Sequence, residues 1–159
     1  MLETGKYQSL HRVKSPGSFN LELNMNKILI VDDSKTSRMF IKMCLEIAIS
    51  KIKEGTFYEA ENGKEALALL NEKEVELVIM DLNMPIMDGF TLLRWMKDND
   101  QLKKIPVIVI TSTNNAAKRE ELLQMGADHI LSKPVSPAKL APIVKAITPD
   151  TMDLDEYGA

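Results

Sequence analysis

The hydrophobic positions between residues 26 and 147 alternate between short continuous runs and longer periodic segments. The continuous runs are four dense aliphatic stretches, which we predict to be strands: Ile28–Val31, Leu77–Met80, Val107–Ile110 and Ile130–Leu131. Because these runs contain no alternating polar positions, they suit strands that are covered on both faces, as in a parallel sheet. A more polar stretch, Thr56–Ala60, is predicted to be a strand at or near an edge of that sheet.

Periodic apolar segments lie between these strands and predict helices. The predicted helices cover residues 35–52, 64–72, 89–98, 115–125 and 137–147. Strand and helix alternate about five times, which predicts an α/β domain with a doubly wound five-stranded parallel sheet and helices on both faces.

The first predicted helix carries an apolar stripe. Met39, Met43 and Ile47 recur at four-residue spacing, and Phe40 and Cys44 form a second pair. We predict that Cys44 belongs to the core. Trp95 and the ten methionines are interpreted as mainly packing residues.

The last predicted helix contains two prolines. Ser136 followed by Pro137 is a good helix start, because a capping hydroxyl precedes a residue whose missing N–H has no partner to lose. Pro142 lies five residues further on and removes a backbone hydrogen bond. It therefore predicts a kink or a delayed start.

Composition and charge narrow the class of protein. With 159 residues, 45% of them hydrophobic and 27% charged, the chain matches a soluble domain of ordinary size. The longest aliphatic run has four residues, far fewer than the ~20 that cross a bilayer, so membrane insertion is not expected. No secretion signal is evident, and Cys44 is the single cysteine, so we expect a cytoplasmic protein.

The charges are distributed unevenly, although the net charge is only −3. Residues 26–147 are balanced and have no block of lysine or arginine, which argues against nucleic-acid binding. Residues 1–25 include a turn-like Ser-Pro-Gly-Ser segment and are predicted to be a mobile arm. Residues 148–159 carry four acidic side chains and no basic one, and are predicted to be a solvated acidic tail.

Polar side chains follow the predicted strands at the points where the strands end. The first strand leads into Asp32 and Asp33, the third into Asp81, the fourth into Thr111 and the fifth into Lys133. In open α/β sheets, ligands bind outside the carboxyl ends of the strands. We therefore expect three carboxylates, a hydroxyl and an ammonium group to converge on one edge of the sheet.

Three crowded carboxylates repel one another, by about 4 kcal/mol per pair at 4 Å and an effective dielectric of 20, unless a proton or a cation neutralises them. An all-oxygen cluster favours a hard cation, and Mg²⁺ fits, with Mn²⁺ as a substitute. With Lys133 as a fixed positive charge and Thr111 as a donor, these are the parts of a phosphoryl-transfer site. Asp81 is the expected nucleophile and would form an acyl phosphate.

Each of these residues also has a simpler interpretation when it is taken alone. Asp32 and Asp33 could cap the first helix, Asp81 could open a turn, and Lys133 could be an ordinary surface lysine. Thr111 could likewise cap the next helix. Their joint placement at strand ends favours a shared site.

These motifs resemble the receiver domain of two-component response regulators, the CheY-like superfamily. The resemblance covers residues 26–147 and is carried by Asp-Asp at 32–33, the segment Asp-Leu-Asn-Met-Pro-Ile-Met-Asp-Gly at 81–89, Thr-Ser at 111–112 and Lys-Pro at 133–134. It implies the strand order 2-1-3-4-5. Since no second domain follows, the chain resembles a stand-alone receiver.

The resemblance also implies roles for individual residues. Asp81 would be the phosphoacceptor, and Mg²⁺ would be held by Asp33, by Asp32 mainly through water, by Asp81 and by the backbone carbonyl of Asn83. Thr111 would bind a phosphoryl oxygen, and Lys133 would pair with the phosphoryl group, its bond to Pro134 often being cis in such domains. The donor would be a sensor histidine kinase or a histidine phosphotransfer protein.

Two positions depart from the family pattern. Receivers commonly carry an aromatic residue three positions before the lysine, which swings inward as the threonine moves, and Ile130 stands there instead. Val135 replaces a frequent phenylalanine. These departures put the usual aromatic switch in question.

Three functions are consistent with the residues. The first is a phosphorylation-dependent module without external turnover, whose downstream protein target binds the face formed by residues 114–140. The second is a degenerate receiver that binds partners regardless of phosphate. The third is an aspartyl phosphatase, which typically needs a second carboxylate where Asn83 stands.

Overall fold

The fold is described by a computed structural model that covers residues 27–49, 56–113 and 115–147. The predicted arm at 1–25 and the predicted tail at 148–159 lie outside the described residues. Strands and helices alternate along the described part of the chain: β1 (Lys27–Val31), α1 (Lys35–Ala48), β2 (Thr56–Ala60), α2 (Gly63–Glu72), β3 (Leu77–Asp81), α3 (Gly89–Lys97), β4 (Val107–Thr111), α4 (Ala116–Gln124), β5 (His129–Ser132) and α5 (Pro137–Ile147).

The five strands form one parallel sheet in the order β2-β1-β3-β4-β5, which confirms the predicted fold class and strand order. As predicted, β2 is an edge strand. Asp81 and Thr111 are the last residues of β3 and β4, one position beyond the predicted strand ends. The two chemically important side chains are therefore anchored by the ladder itself, with Asp81 paired to Ile110 and Thr111 paired to Ser132.

Helices cover both faces of the sheet, and each face has its own hydrophobic core. One core joins the sheet to α2, α3 and α4, and the other joins it to α1 and α5. Every residue of β3 and of β4 is buried. The continuous aliphatic runs are explained by this two-sided burial.

Helix α1 differs from the prediction in which face it buries. Met39, Met43 and Ile47 are 60%, 49% and 64% exposed, so the predicted stripe faces away from the sheet. The buried apolar face is formed instead by Ile41, Cys44 and Leu45. Apolar residues occupy most of the helix circumference, and the spacing alone therefore could not identify the buried side. Cys44 itself is buried, as predicted.

The predictions for the end of the first helix and for the burial of Trp95 were also wrong. The first helix ends at Ala48, because Ile49 already has extended backbone angles of φ −128° and ψ 96°. The β-branched Ile47 and Ile49 favour such an end, since they are weaker helix formers than the residues before them. Trp95, interpreted as a packing residue, is mostly exposed on α3.

Helix α5 begins directly at Pro137. The backbone N–H of Lys139 donates to Ser136 Oγ at 3.2 Å, which confirms the predicted helix start. The delayed start that we predicted from Pro142 is wrong, because the helix runs through it. The carbonyl that loses its backbone donor belongs to Ala138, which is exposed, and water can therefore satisfy it. The kink stays a prediction.

None of the helices in the described segments combines the length and the apolar character that spanning a membrane requires.

Candidate functional site

The turn after β1 fixes Asp32 in place. Its backbone N–H donates to the carbonyl of Ala60 at 3.0 Å, which continues the sheet for one residue beyond β1. Its side-chain Oδ1 accepts from the backbone N–H of Ser34 at 2.8 Å. Ser34 in turn caps α1, with its side chain accepting from Ser37 N. The simpler interpretation, in which Asp32 and Asp33 cap the first helix, is therefore wrong, because Ser34 is the cap.

Asp81 is buried at the end of the central strand and is held by one backbone hydrogen bond and one ion pair. Its Oδ1 atom accepts from the backbone N–H of Leu82 at 2.9 Å. The Nζ atom of Lys133 lies 3.5 Å from the same oxygen. The Asp81 carboxylate therefore lies beside a fixed positive charge at the start of the loop that leads to α3.

The structure brings the three predicted aspartates together. One carboxylate oxygen from each of Asp32, Asp33 and Asp81 lies within 4.8 Å of the others, with Asp33 exposed and the other two buried. Burial raises the pKa of the Asp32 carboxyl, and the negative charge of Asp81 raises it further, while the hydrogen bond from Ser34 opposes this. A cation placed among these oxygens would relieve both effects.

The donor set fits a hard divalent cation. Each of the three residues contributes a carboxylate oxygen, and no histidine or cysteine belongs to the cluster. Hard cations such as Mg²⁺ take oxygen ligands and need only one or two carboxylates from the protein. The cluster therefore has the chemistry of a magnesium site that leaves positions for water and substrate.

Thr111 and Lys133 are joined through the backbone of neighbouring strand ends. The N–H of Lys133 donates to the carbonyl of Thr111 at 2.9 Å, and the bond from Lys133 to Pro134 is cis, as the resemblance implied. The Thr111 hydroxyl accepts from the N–H of Thr113 at 3.2 Å. The next helix is capped by Asn115 rather than by Thr111, so the simpler interpretation of this threonine is wrong.

The loop after Asp81 is folded tightly against the end of β3. Gly89 N donates to the carbonyl of Leu82 at 2.9 Å, and a Cβ atom at residue 89 would collide with the Asp81 carbonyl oxygen. Only glycine permits this close approach. Asn83, whose carbonyl was predicted to be a metal ligand, lies exposed at the start of the same loop.

The same loop contains a strained residue. Ile86 has a φ of +69° and is 78% exposed. A β-branched residue in the left-handed region is a genuine outlier. Its side chain therefore stands in solvent, on backbone that disfavours it.

One buried cation near the cluster was not predicted from the sequence. Arg38 is 8% exposed, and its Nη1 atom donates to the backbone carbonyl of Asp32 at 2.7 Å. Its Nε atom donates to Glu59 Oε1 at 2.8 Å. An arginine in an amphipathic helix is typical of a solvated face, and nothing in the local pattern distinguishes this one. It links α1, the end of β1 and the edge strand β2.

A cleft opens from the site between α1 and the loop that joins β5 to α5. Its volume is about 520 Å³. The residues that line it come from the site and from both of these elements: Asp32, Thr36, Ser37, Phe40, Ile41, Ile110, Lys133, Pro134 and Val135. The exposed apolar residues of α1, namely Met39, Phe40, Met43 and Ile47, are called the α1 patch below. Phe40 belongs to both, so the α1 patch continues into the cleft.

The two positions that depart from the receiver pattern are both buried. Ile130 lies in β5 and contributes to the core, and Val135 packs in the core beneath α1 and α5. Neither side chain carries a polar atom that could bind at the site.

Comparison with known proteins identifies the family. A model of the response regulator receiver domain matches residues 28–145. The probable chemotaxis protein CheY of Rhizobium etli is 32% identical over 121 residues, which are 76% of this chain and 91% of that protein. The transcriptional regulatory protein GltR of Pseudomonas aeruginosa is 32% identical over 127 residues, or 80% of this chain. The chain spans only 50% of that regulator's length.

A solved structure shows the same architecture. The chemotaxis response regulator CheY4 of Vibrio cholerae superposes with a TM-score of 0.68 at 30% identity, over 77% of this chain and 98% of that one. Receiver domains are the phosphoryl-accepting signalling modules of two-component systems, and they interact with histidine kinases or phosphotransfer proteins. The chain belongs to the family of response regulator receiver domains.

Proposed function

We propose that this chain is a phosphorylation switch in which Asp81 accepts the phosphoryl group of a phosphohistidine on a sensor histidine kinase or a histidine phosphotransfer protein. One observation carries the proposal. Three carboxylates lie within 4.8 Å of one another, and the Lys133 ammonium lies 3.5 Å from Asp81. A negative cluster beside a fixed cation suits phosphoryl transfer, which depends mainly on positioning and charge neutralisation.

The residues that would hold Mg²⁺, or Mn²⁺ in its place, are Asp32, Asp33, Asp81 and the backbone carbonyl of Asn83. When bound, the ion neutralises charge that builds up between the carboxylate and the phosphoryl oxygens. Asp32 and Asp81 are buried and hydrogen-bonded to backbone N–H groups, so these two ligands are already oriented.

In the transfer step, a carboxylate oxygen of Asp81 attacks phosphorus as the bond from phosphorus to the donor imidazole nitrogen breaks. That nitrogen keeps the electron pair of the broken bond and takes up a proton. The Lys133 ammonium pairs with a phosphoryl oxygen, and the Thr111 hydroxyl donates a hydrogen bond to another. These two contacts with phosphoryl oxygens exist only in the phosphorylated state, which therefore biases a two-state equilibrium.

The switch resets when water attacks phosphorus and the bond from phosphorus to the Asp81 oxygen breaks. Inorganic phosphate leaves, and the Asp81 carboxylate is restored. The chain would therefore carry out self-phosphorylation and self-dephosphorylation without turning over an external substrate.

The phosphodonor docks on the α1 patch in this proposal. The patch leads into the cleft, and the cleft is lined at its inner end by Asp32 and Lys133. A helix that presents a phosphohistidine can lay its apolar face on such a surface and bring the phosphorus to Asp81. The downstream target uses a different face, formed by residues 114–140, where Thr111 and Lys133 are coupled to α4 and α5. We place the protein in the cytoplasm, where its one cysteine stays reduced.

The test is phosphate uptake measured by intact mass. The protein is incubated with Mg²⁺ and acetyl phosphate, and the wild type is compared with Asp81→Asn. Asp88→Asn is the matched control, since Asp88 lies in the same loop and caps α3, a role that asparagine also fills. We expect one phosphate per chain in the wild type and in the control, and none in Asp81→Asn.

Other outcomes would contradict the proposal. Uptake that persists in Asp81→Asn would place the acceptor elsewhere. No uptake from acetyl phosphate or from a histidine kinase would support a phosphorylation-independent binding module, and steady release of phosphate from varied phosphate esters would support a phosphatase.

A further inference from the structure

Helix α4 is held to the domain by little apolar burial. Leu122 is its one buried residue, whereas α1 and α3 bury four residues each. Three of its exposed side chains are charged, namely Lys118, Glu120 and Glu121, and Leu123 is exposed as well. A helix with so few buried contacts has low local stability and is well suited to move.

Two cations of α4 reach over to its neighbours. The Nζ atom of Lys118 lies 4.6 Å from the centre of the Phe90 ring on α3. Arg119 contacts β5 at two points, because Nη2 donates to the carbonyl of Ile130 at 3.3 Å and Nη1 donates to Ser132 Oγ at 3.4 Å. Since β5 is the edge of the described sheet, Arg119 binds a carbonyl that lies outside the strand pairing.

The Arg119 contacts lie next to the site. Ser132 is paired with Thr111 across the sheet. On its other side the Thr111 hydroxyl is bonded to the N–H of Thr113, in the segment that leads into α4. A turn of the Thr111 hydroxyl toward a phosphoryl oxygen on Asp81 therefore disturbs its bond to the segment before α4, while the backbones of Thr111 and Ser132 stay paired in the sheet. The two Arg119 hydrogen bonds are the contacts that such a movement would strain.

We infer that Arg119 latches α4 to β5 in the unphosphorylated protein and that phosphorylation of Asp81 releases the latch. This inference rests on the proposed function. Arg119 thereby takes over the reporting role that an aromatic side chain would have at position 130, where the buried isoleucine has no polar atom. Arg119 acts here as a positioning residue, since it is bonded to β5 rather than to the reacting groups.

The test follows backbone amide chemical shifts by NMR, with and without phosphorylation by acetyl phosphate and Mg²⁺. Arg119→Met keeps the length of the side chain and removes its hydrogen bonds. Arg119→Lys keeps a donor that can reach one acceptor. Lys118→Met is the matched control, because it loosens the same helix at its contact with α3.

We expect the unphosphorylated Arg119→Met variant to have amide shifts at residues 129–132 close to those of the phosphorylated wild type. Phosphorylation of that variant should then add little further shift, although phosphate uptake stays stoichiometric. Arg119→Lys should fall between the two, and Lys118→Met should keep the full phosphorylation-dependent shift.

Two results would overturn the latch while leaving the proposed function intact. One is uptake by Arg119→Met with the wild-type shift difference at residues 129–132 unchanged. The other is an equal loss of that difference in Lys118→Met, which would make the effect a general loosening of α4. If the wild type took up no phosphate, the proposed function would fail first and the release of the latch with it.

Discussion

The guanidinium of Arg38 donates to the backbone carbonyl of Asp32 at 2.7 Å, which places a buried cation directly behind the acidic cluster. The same side chain binds Glu59 at 2.8 Å. This arrangement ties the Asp32 turn to the edge strand without using the carboxylate oxygens that a metal ion needs.

Replacing Arg38 by methionine should destabilise the domain and weaken its metal site. The buried carbonyl of Asp32 loses its side-chain donor, which costs about 1–3 kcal/mol. We expect a lower free energy of unfolding in urea and a higher Kd for Mg²⁺ by calorimetric titration. Glu59→Gln is the control: it keeps an acceptor for Arg38 and should change stability by less than about 1 kcal/mol, because Glu59 is partly exposed. Equal effects of the two substitutions would contradict this role.

The ionisation of Asp32 should make the stability of the metal-free protein depend on pH. Because its pKa is raised in the folded state, the contribution of this carboxyl to stability is complete below its unfolded-state pKa. That contribution is lost as the pH rises through the folded-state pKa. In EDTA, we therefore expect Asp32→Asn to melt at a higher temperature than the wild type at neutral pH and to show a weaker pH dependence.

Adding Mg²⁺ should reverse that order. A ligand at 100 times its Kd stabilises the folded state by about 2.7 kcal/mol, and Asp32→Asn should lose most of this gain. Thermal unfolding of both proteins over a series of pH values, in EDTA and in Mg²⁺, measures each effect. The exposed Asp100→Asn serves as the control. Identical pH profiles for the wild type and Asp32→Asn would refute the assignment.

Relieving the strained backbone at Ile86 should stabilise the protein. Asparagine tolerates the left-handed region far better than a β-branched residue, and the difference is on the order of 1 kcal/mol. Ile86→Asn should therefore raise the urea midpoint, while Ile86→Val, which keeps the branch, should leave it unchanged. A loss of stability in Ile86→Asn would show that the Ile86 side chain stabilises the fold by more than its left-handed backbone destabilises it.

A charge introduced into the α1 patch should slow phosphorylation by a histidine kinase but not phosphorylation by acetyl phosphate. The phosphodonor in this test is a histidine kinase that phosphorylates the wild type. We expect Met39→Glu to lower the rate of phosphotransfer from it by about tenfold, the usual effect of losing an interface contact worth about 1.4 kcal/mol. Phosphorylation by acetyl phosphate should keep its wild-type rate. Trp95→Glu is the matched control, because Trp95 is a comparably exposed apolar residue on α3. If Met39→Glu slows phosphorylation by the kinase and by acetyl phosphate alike, the α1 patch maintains the structure of the site and does not bind the donor.

Much of the site could be predicted because a parallel sheet converts sequence order into spatial proximity. The aliphatic runs predict parallel strands, and Asp32, Asp81 and Lys133 follow the ends of those strands, which lie at one end of a parallel sheet. The predicted convergence of the three carboxylates needed no knowledge of side-chain geometry. The structure then supplied the distances.

The contacts made by arginine could not be predicted in this way. Arg38 is buried because Glu59 and the Asp32 carbonyl meet it from two different strands, and Arg119 is half-buried because β5 presents a carbonyl to it. Such contacts depend on the tertiary arrangement and leave no period in the sequence. The exposed side of α1 was misassigned for a related reason: its apolar residues surround the helix, and the neighbouring sheet and α5 together decide which of them are covered.

The parallel arrangement has one more consequence, for how the domain can be joined to other parts. Lys27 begins β1 at the end of the sheet opposite to Asp81. Helix α5 runs back to that end, since its 11 residues and the five residues of a strand both span about 16 Å. The described domain thus begins and ends on the side remote from Asp81. A fluorescent label or a fused module attached near Lys27 or after α5 would leave the side that carries Asp81 accessible to binding partners.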